Sequence, residues 1–366
     1  MGGSGDVMVL VGTSKGLFTL TSGLARDSWT MAGPSFPGEE IYSAVVDTRG
    51  GRNRVLVGAT SSHWGPSVYR SDDLGASWVE PSAGTLAFPS DAGAAVARVW
   101  QLQPAGDAQP DVVYAGVEPA ALFRSDDGGE SFSLDEGLWN HPHRPQWNPG
   151  GGGLCLHTVL PDPSGGPRLA VAVSSAGFYR TLDGSTWEAA NVGIRVPFLP
   201  EPTPEFGQCV HKVDRHPSEP DTLFLQHHWG VYRSHDFGGQ WEEVGASELP
   251  STFGFPVVVD PNSPATAYVL PLTSDYFRIV PDGRLRVYRT VDGGESWTAL
   301  SAGLPQENAY LTVLRDGFGA DPCDPTGLYI GTRTGDVYAS ADGGESWTEL
   351  ARHLPPVLCV KAAVLR

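Results

Sequence analysis

One phrase recurs along the chain at nearly constant spacing, and it limits the possible folds more than any other feature. It reads Tyr69-Arg-Ser-Asp-Asp-Leu-Gly-Ala-Ser-Trp78, then Phe123-Arg-Ser-Asp-Asp-Gly-Gly-Glu-Ser-Phe132. Further copies end on Trp187, Trp241, Trp297 and Trp347, and a worn copy runs from Phe18 to Trp29. By subtraction, successive aromatic anchors lie 49–56 residues apart. A period near 50 with several short strands per unit is the pattern of propeller blades. The 366 residues are therefore read as one repeat array over 1–366, not as the two or more domains that length alone suggests.

The phrase has a physical logic. An apolar strand end enters a turn, the Asp accepts main-chain N–H bonds inside it, and Gly supplies the positive φ of the reversal. The aromatic residue then opens the next strand. Each repeat also contains an inner strand, such as Ile41–Val46, Leu156–Leu160 or Val210–Val213, and a second apolar run, such as Leu169–Val173 or Leu223–Leu225. The chain starts on a second-type strand, Val7–Val11, and ends on an inner-type strand, Cys359–Leu365. The expected fold is all-β, a seven-bladed β-propeller whose C-terminal strand joins the N-terminal blade and removes the open edges. Losing the last eight residues is then expected to be severely destabilising.

Composition excludes some functions. A net charge of −18 disfavours nucleic acid and anionic membranes, which need Lys and Arg neutralisation. No uninterrupted apolar run approaches the length of a membrane span, and no secretory leader is legible at the start. Four cysteines in so long a chain do not make a disulfide framework. A cytoplasmic protein is the expectation.

The boxes resemble the BNR/Asp-box repeat proteins over essentially the whole chain. That family includes sialidases, sortilin-type receptors, xyloglucanases and photosystem assembly factors, and many members carry a sialidase-like or glycosyl hydrolase-like label. The resemblance implies the propeller and says little about activity. Sialidases are six-bladed, with an Arg-Ile-Pro motif near the start, an arginine triad and a Tyr–Glu nucleophile pair. Here no Arg precedes Arg26, and the sole Arg-Ile is Arg278-Ile279, followed by Val280. Five others, Arg70, Arg124, Arg180, Arg233 and Arg289, fall in the box phrase, on the opposite face. The two-propeller cleft of xyloglucanases also has no counterpart, so a sialidase-like glycoside hydrolase is the least favoured reading.

In a four-stranded up-and-down blade, the second-to-third loops and the blade-to-blade loops share one face, the top. Eight of the ten histidines lie between His141 and His235, and sorting loops by face puts most of them on top. His157 and His211 open adjacent inner strands at matching register. Aligning the inner strands gives a ring of positions: Tyr42, Arg98, His157, His211, Phe255, Leu311 and Lys361. One expectation is a divalent transition metal (Zn, Fe, Cu or Mn) held by His157 and His211 with His227, His228, His141 or His143, since imidazole suits these ions. Glu118 or Glu205 would then be a general base beside His141 and His143. The metal-free alternative is a pocket for a small polar or anionic molecule near Arg98, Lys361 and Tyr42, with Trp64 and Trp229 as stacking surfaces. Packing between blades is the third possibility. Cys155 and Cys209 read as small buried core residues. Trp139 and Trp147 read as ligand platforms or core covers, the segment 273–284 as a flap or hairpin extension, and the Pro-rich run 196–205 as a stiff wall.

The leading expectation is thus a His/Glu-rich top-face channel site acting on or binding a small polar ligand, with hydrolase or lyase chemistry as the enzymatic form. The alternative is a non-catalytic scaffold that binds a protein partner.

Overall fold

The computed structural model describes residues 5–79, 86–197 and 199–366. Seven antiparallel sheets follow one another around a ring. Six have four strands, and the sheet Glu40–Asp47, Arg54–Ser61 and Gly65–Ser71 has three. An isolated bridge joins its third strand at Arg70 to Val79. In blade 1 the strand Val357–Val364 lies beside Val7–Thr13, which pairs in turn with Gly16–Ser22 and Thr30–Ser35. The pairing runs from Val7 opposite Val364 to Thr13 opposite Val357, so the ring is closed by the chain's last strand, as its strand pattern predicts.

The boxes behave as their chemistry demands. The Asp73 carboxylate accepts from the main chain and the hydroxyl of Ser77, at 2.8 and 2.6 Å, and from the Ser71 hydroxyl. The Ser77 hydroxyl leads these contacts in holding the Asp73 carboxyl down to about 2. Asp127 and Asp342 repeat the arrangement with Ser131 and Ser346. Gly238 shows why glycine occupies the turn: its φ is +84°, and a Cβ there would lie 2.5 Å from Phe178 of the preceding blade.

The box aromatics pack between blades. Trp241 is 2% exposed, meets Phe178 edge-on at 5.3 Å and donates from Nε1 to the Ala190 carbonyl at 2.8 Å. The apolar core is correspondingly divided into clusters around the ring, such as Phe178, Ile194, Leu223, Tyr232 and Trp241. This leaves the channel at the centre to be lined by the inner strands. Among the described residues, no helix is long and apolar enough to cross a membrane.

Candidate functional site

The inner strands share a device that loads the channel mouth. In six blades the inner strand carries a bulge at one level, where extra residues face a shorter stretch of the neighbouring strand. The residues without partners are Tyr42, Trp100, His157, His211, Phe255 with Pro256, and Leu358. A bulge re-aims a side chain and breaks the ladder locally. Five of these positions, Tyr42, Trp100, His211, Phe255 and Leu358, line a top-face cavity of ≈ 400 Å³. Tyr42 and Trp100 pack with ring centroids 4.6 Å apart.

Blade 7 is built differently. Its inner strand is Phe318–Asp321, and from the segment before it Leu314, Arg315 and Asp316 line the cavity. Arg315 donates from Nε to the His211 carbonyl at 3.1 Å, and its guanidinium lies 5.3 Å from the Trp100 ring and 5.8 Å from the Phe255 ring. Asp316 bridges to Cys359 and pairs with Lys212 at 2.8 Å and Lys361 at 2.7 Å. These two ammoniums hold the Asp316 carboxyl far below its usual range despite burial. Asp316 forms part of the top cavity's lining, whereas Lys212 and Lys361 line a separate cavity of ≈ 290 Å³.

Four guanidiniums meet at the top cavity: Arg98, Arg278, Arg315 and Arg333. Arg98 is committed to Glu118 at 3.1 Å and approaches Glu40 at 3.6 Å. Among the described residues, Arg278, Arg315 and Arg333 make no carboxylate pair within 4.0 Å. Ser174, Ser175, Cys209, His211 and His228 complete the polar lining. His211 is buried and donates from Nδ1 to the Gly254 carbonyl at 2.6 Å. Its Nε2 therefore carries a lone pair, which faces the Cys209 thiol at 3.5 Å. Burial, then the Arg315 charge, keep His211 neutral. Burial also raises the Cys209 thiol.

The comparisons agree with this architecture. The family profile described as BNR-Asp box repeat matches residues 231–244, the box of blade 5. The chain is a seven-bladed β-propeller that carries a BNR-Asp box repeat in blade 5. An ancestral GH74 enzyme superposes with a TM-score of 0.60 at 14% identity, over 85% of this chain and 38% of that one. The propeller thus spans well under half of that enzyme's length. YCF48 bound to a D1 peptide gives 0.51 at 14% identity, over 95% and 86% of the two chains. YCF48 from Cyanidioschyzon merolae gives 0.50 at 11%, over 94% and 95%. At such identities the likeness shows the fold. No curated protein matches the sequence.

The propeller brings together only some of the expected site residues. Tyr42, Arg98, His211 and His228 share the cavity. His157 does not join them: its Nε2 bonds to the Val210 carbonyl and its Nδ1 to the Thr158 hydroxyl, both at 3.0 Å, with no exposed surface. His227 is also fully buried, accepts from the Trp229 main chain at Nδ1 and lies outside the cavity lining. Lys361 is drawn to Asp316, away from the top cavity. Glu118 stands behind the lining, anchoring Arg98 and the Trp100 indole.

His141, His143 and Glu205 form a separate group over the third strand of blade 4. The His143 ring stacks on Phe206 at 4.0 Å and bonds to the Tyr179 hydroxyl, with exposed Glu205 3.7 Å away. Trp147 is buried against the same tyrosine, and Trp139 packs on Phe88, so both cover core. Trp64 points to solvent at 89% exposure, and Trp229 lies beside His228 without lining the cavity. Segment 273–284 reaches the mouth through Arg278. Sequence reasoning missed Trp100, Arg315 and Arg333. It took Cys209 for a core residue, whereas its thiol faces the cavity.

Proposed function

We propose that the propeller binds a small organic anion, a carboxylate on a ring or other planar body, in the mouth of its channel. The observation that carries this reading is the convergence of Arg278, Arg315 and Arg333, with no carboxylate partner among the described residues, over an aromatic lining of Tyr42, Trp100, Phe253 and Phe255. Guanidinium forks match carboxylates geometrically, and the rings offer a flat body a stacking surface. The ≈ 400 Å³ volume suits a small ligand. With a net charge of −18, the chain as a whole repels anions, so the site works through its local charges. His228, half-buried in the lining and 3.4 Å from the Asp275 carboxylate, is the proton acceptor for such a ligand, whereas burial leaves His211 a hydrogen-bonding group and not a base. Hydrolysis or elimination is the fitting reaction class.

The test is calorimetric titration and thermal shift with benzoate, glucuronate and inorganic phosphate, on the propeller and on an Arg278→Ala/Arg333→Ala variant. Both side chains are on the exposed rim, so the variant should fold. A bound anion at a hundred times its Kd should stabilise the parent by about 2.7 kcal/mol and the variant far less. No shift with any of the three, or equal shifts in both proteins, would sink the reading.

A second reading has its own observation. Tyr276 and Phe277, beside Arg278, are 97% and 54% exposed, and Tyr310 is 63% exposed. Such a rim suits an acidic peptide. Tyr276→Ala/Phe277→Ala should abolish capture of an acidic peptide while leaving small-anion binding intact.

A further inference from the structure

We infer that Cys209, His211 and His228 form a mononuclear site for a borderline-soft divalent metal such as zinc. One ligand atom from each of the three lies within 4.8 Å of the others. In a tetrahedral zinc shell, thiolate sulfur and imidazole nitrogens stand about 3.3–3.7 Å apart. The Cys209 Sγ to His211 Nε2 distance of 3.5 Å already meets that spacing, and a ring nitrogen of His228 stands within 4.8 Å of both. Three protein ligands facing a cavity leave the fourth position to water or a bound ligand, the open form of such a centre.

The surroundings support the same assignment. A metal-bound imidazole characteristically gives its other N–H to an oxygen acceptor. His211 gives Nδ1–H to the Gly254 carbonyl at 2.6 Å. His228 presents Nε2 to the Asp275 carboxylate at 3.4 Å, leaving Nδ1 as the lone-pair nitrogen. Arg315 and Arg278 oppose a dication here. The thiolate, together with Asp275 behind His228, offsets them. Binding at neutral pH would then release about one proton, from the Cys209 thiol to solvent.

The site stands whether or not an organic anion is the ligand, because metal uptake is measured without one. The experiment is titration of the chelator-treated full chain with Co²⁺, following the thiolate-to-cobalt charge-transfer band, and then displacement by Zn²⁺. One equivalent should bind and give the band. Cys209→Ser should remove it, while Cys155→Ser and Cys359→Ser retain it. Asp275→Asn, an exposed substitution that leaves the fold alone, should weaken binding about 10–100-fold. Absence of a band at stoichiometric metal, or a band that survives Cys209→Ser, would overturn the site. Failure here with intact anion binding removes the metal alone, and the converse removes the anion alone.

Discussion

Arg315 reaches across the channel from the blade 7 segment and donates to the main-chain carbonyl of His211 in blade 5. The next residue, Asp316, fixes the segment between Lys212 of blade 5 and Lys361 of blade 1. One dipeptide therefore ties three blades together and forms part of the boundary of the candidate site.

Asp316→Asn should be among the most damaging substitutions in the channel. It leaves two ammoniums facing each other with only the more distant buried carboxyl of Asp214 as counter-charge. Breaking a buried pair costs roughly 3–5 kcal/mol, and the lower end is expected because Lys361 keeps partial solvent contact. Urea unfolding followed by tryptophan fluorescence measures it. Replacing all three residues by apolar ones should recover most of the loss. A loss that persists in the triple variant would mean the carboxylate shapes the segment in some other way.

Stability should fall on acidification well before carboxylates titrate. Burial holds His157, His211 and His227 neutral in the fold, His227 down to about 3. Once unfolded, each takes up a proton near pH 6.5. Below that pH the unfolded chain binds more protons than the folded one, so stability decreases at about 1.4 kcal/mol per histidine per pH unit. Asp316 acts in a lower window: its depressed carboxyl contributes above about pH 3.9 and is lost only below it. Urea midpoints between roughly pH 8 and 5 should bend downward near 6.5, and His227→Asn should flatten the slope by about one histidine's share. An unchanged slope would show that His227 is not held neutral.

Deleting residues 357–366 should prevent formation of a cooperative monomer. The strand Val7–Thr13 is buried along its whole length and would lose one of its two partners. Size-exclusion chromatography and circular dichroism should show aggregated or molten material, and a synthetic peptide of residues 357–366 added during refolding should restore the monomer. A truncated chain that stays monomeric with a sharp thermal transition would contradict the closure argument.

The blades were legible in the sequence because each box is a local phrase whose residues act within one turn. Which loops share a face was legible for the same reason, since strand alternation alone sorts them. The side chains at the mouth were harder to read. In two blades the inner strands were aligned out of step, so the bulged position is Trp100 instead of Arg98, and Leu358 instead of Lys361. Blade 7 had a usable signal. Tyr42, His157 and Phe255 each precede an Asp near the end of the inner strand (Asp47, Asp162 and Asp260) by five positions, and counting back from Asp321 gives Asp316 rather than Leu311. Contacts between blades, such as His157 to Val210 or Arg315 to His211, depend on the ring's closing geometry, which no local phrase encodes.

The placement of Val357–Val364 also sets an order of events on the ribosome. At roughly 5–20 residues per second, the first three strands of blade 1 leave the exit tunnel tens of seconds before their partner does. Through that interval Val7–Thr13 is an apolar, unpaired edge of the kind that recruits other chains. Nascent-chain capture by holding chaperones should therefore persist until the closing strand is released, and a pause in translation just upstream of Val357 should raise aggregation more than the same pause between two earlier blades.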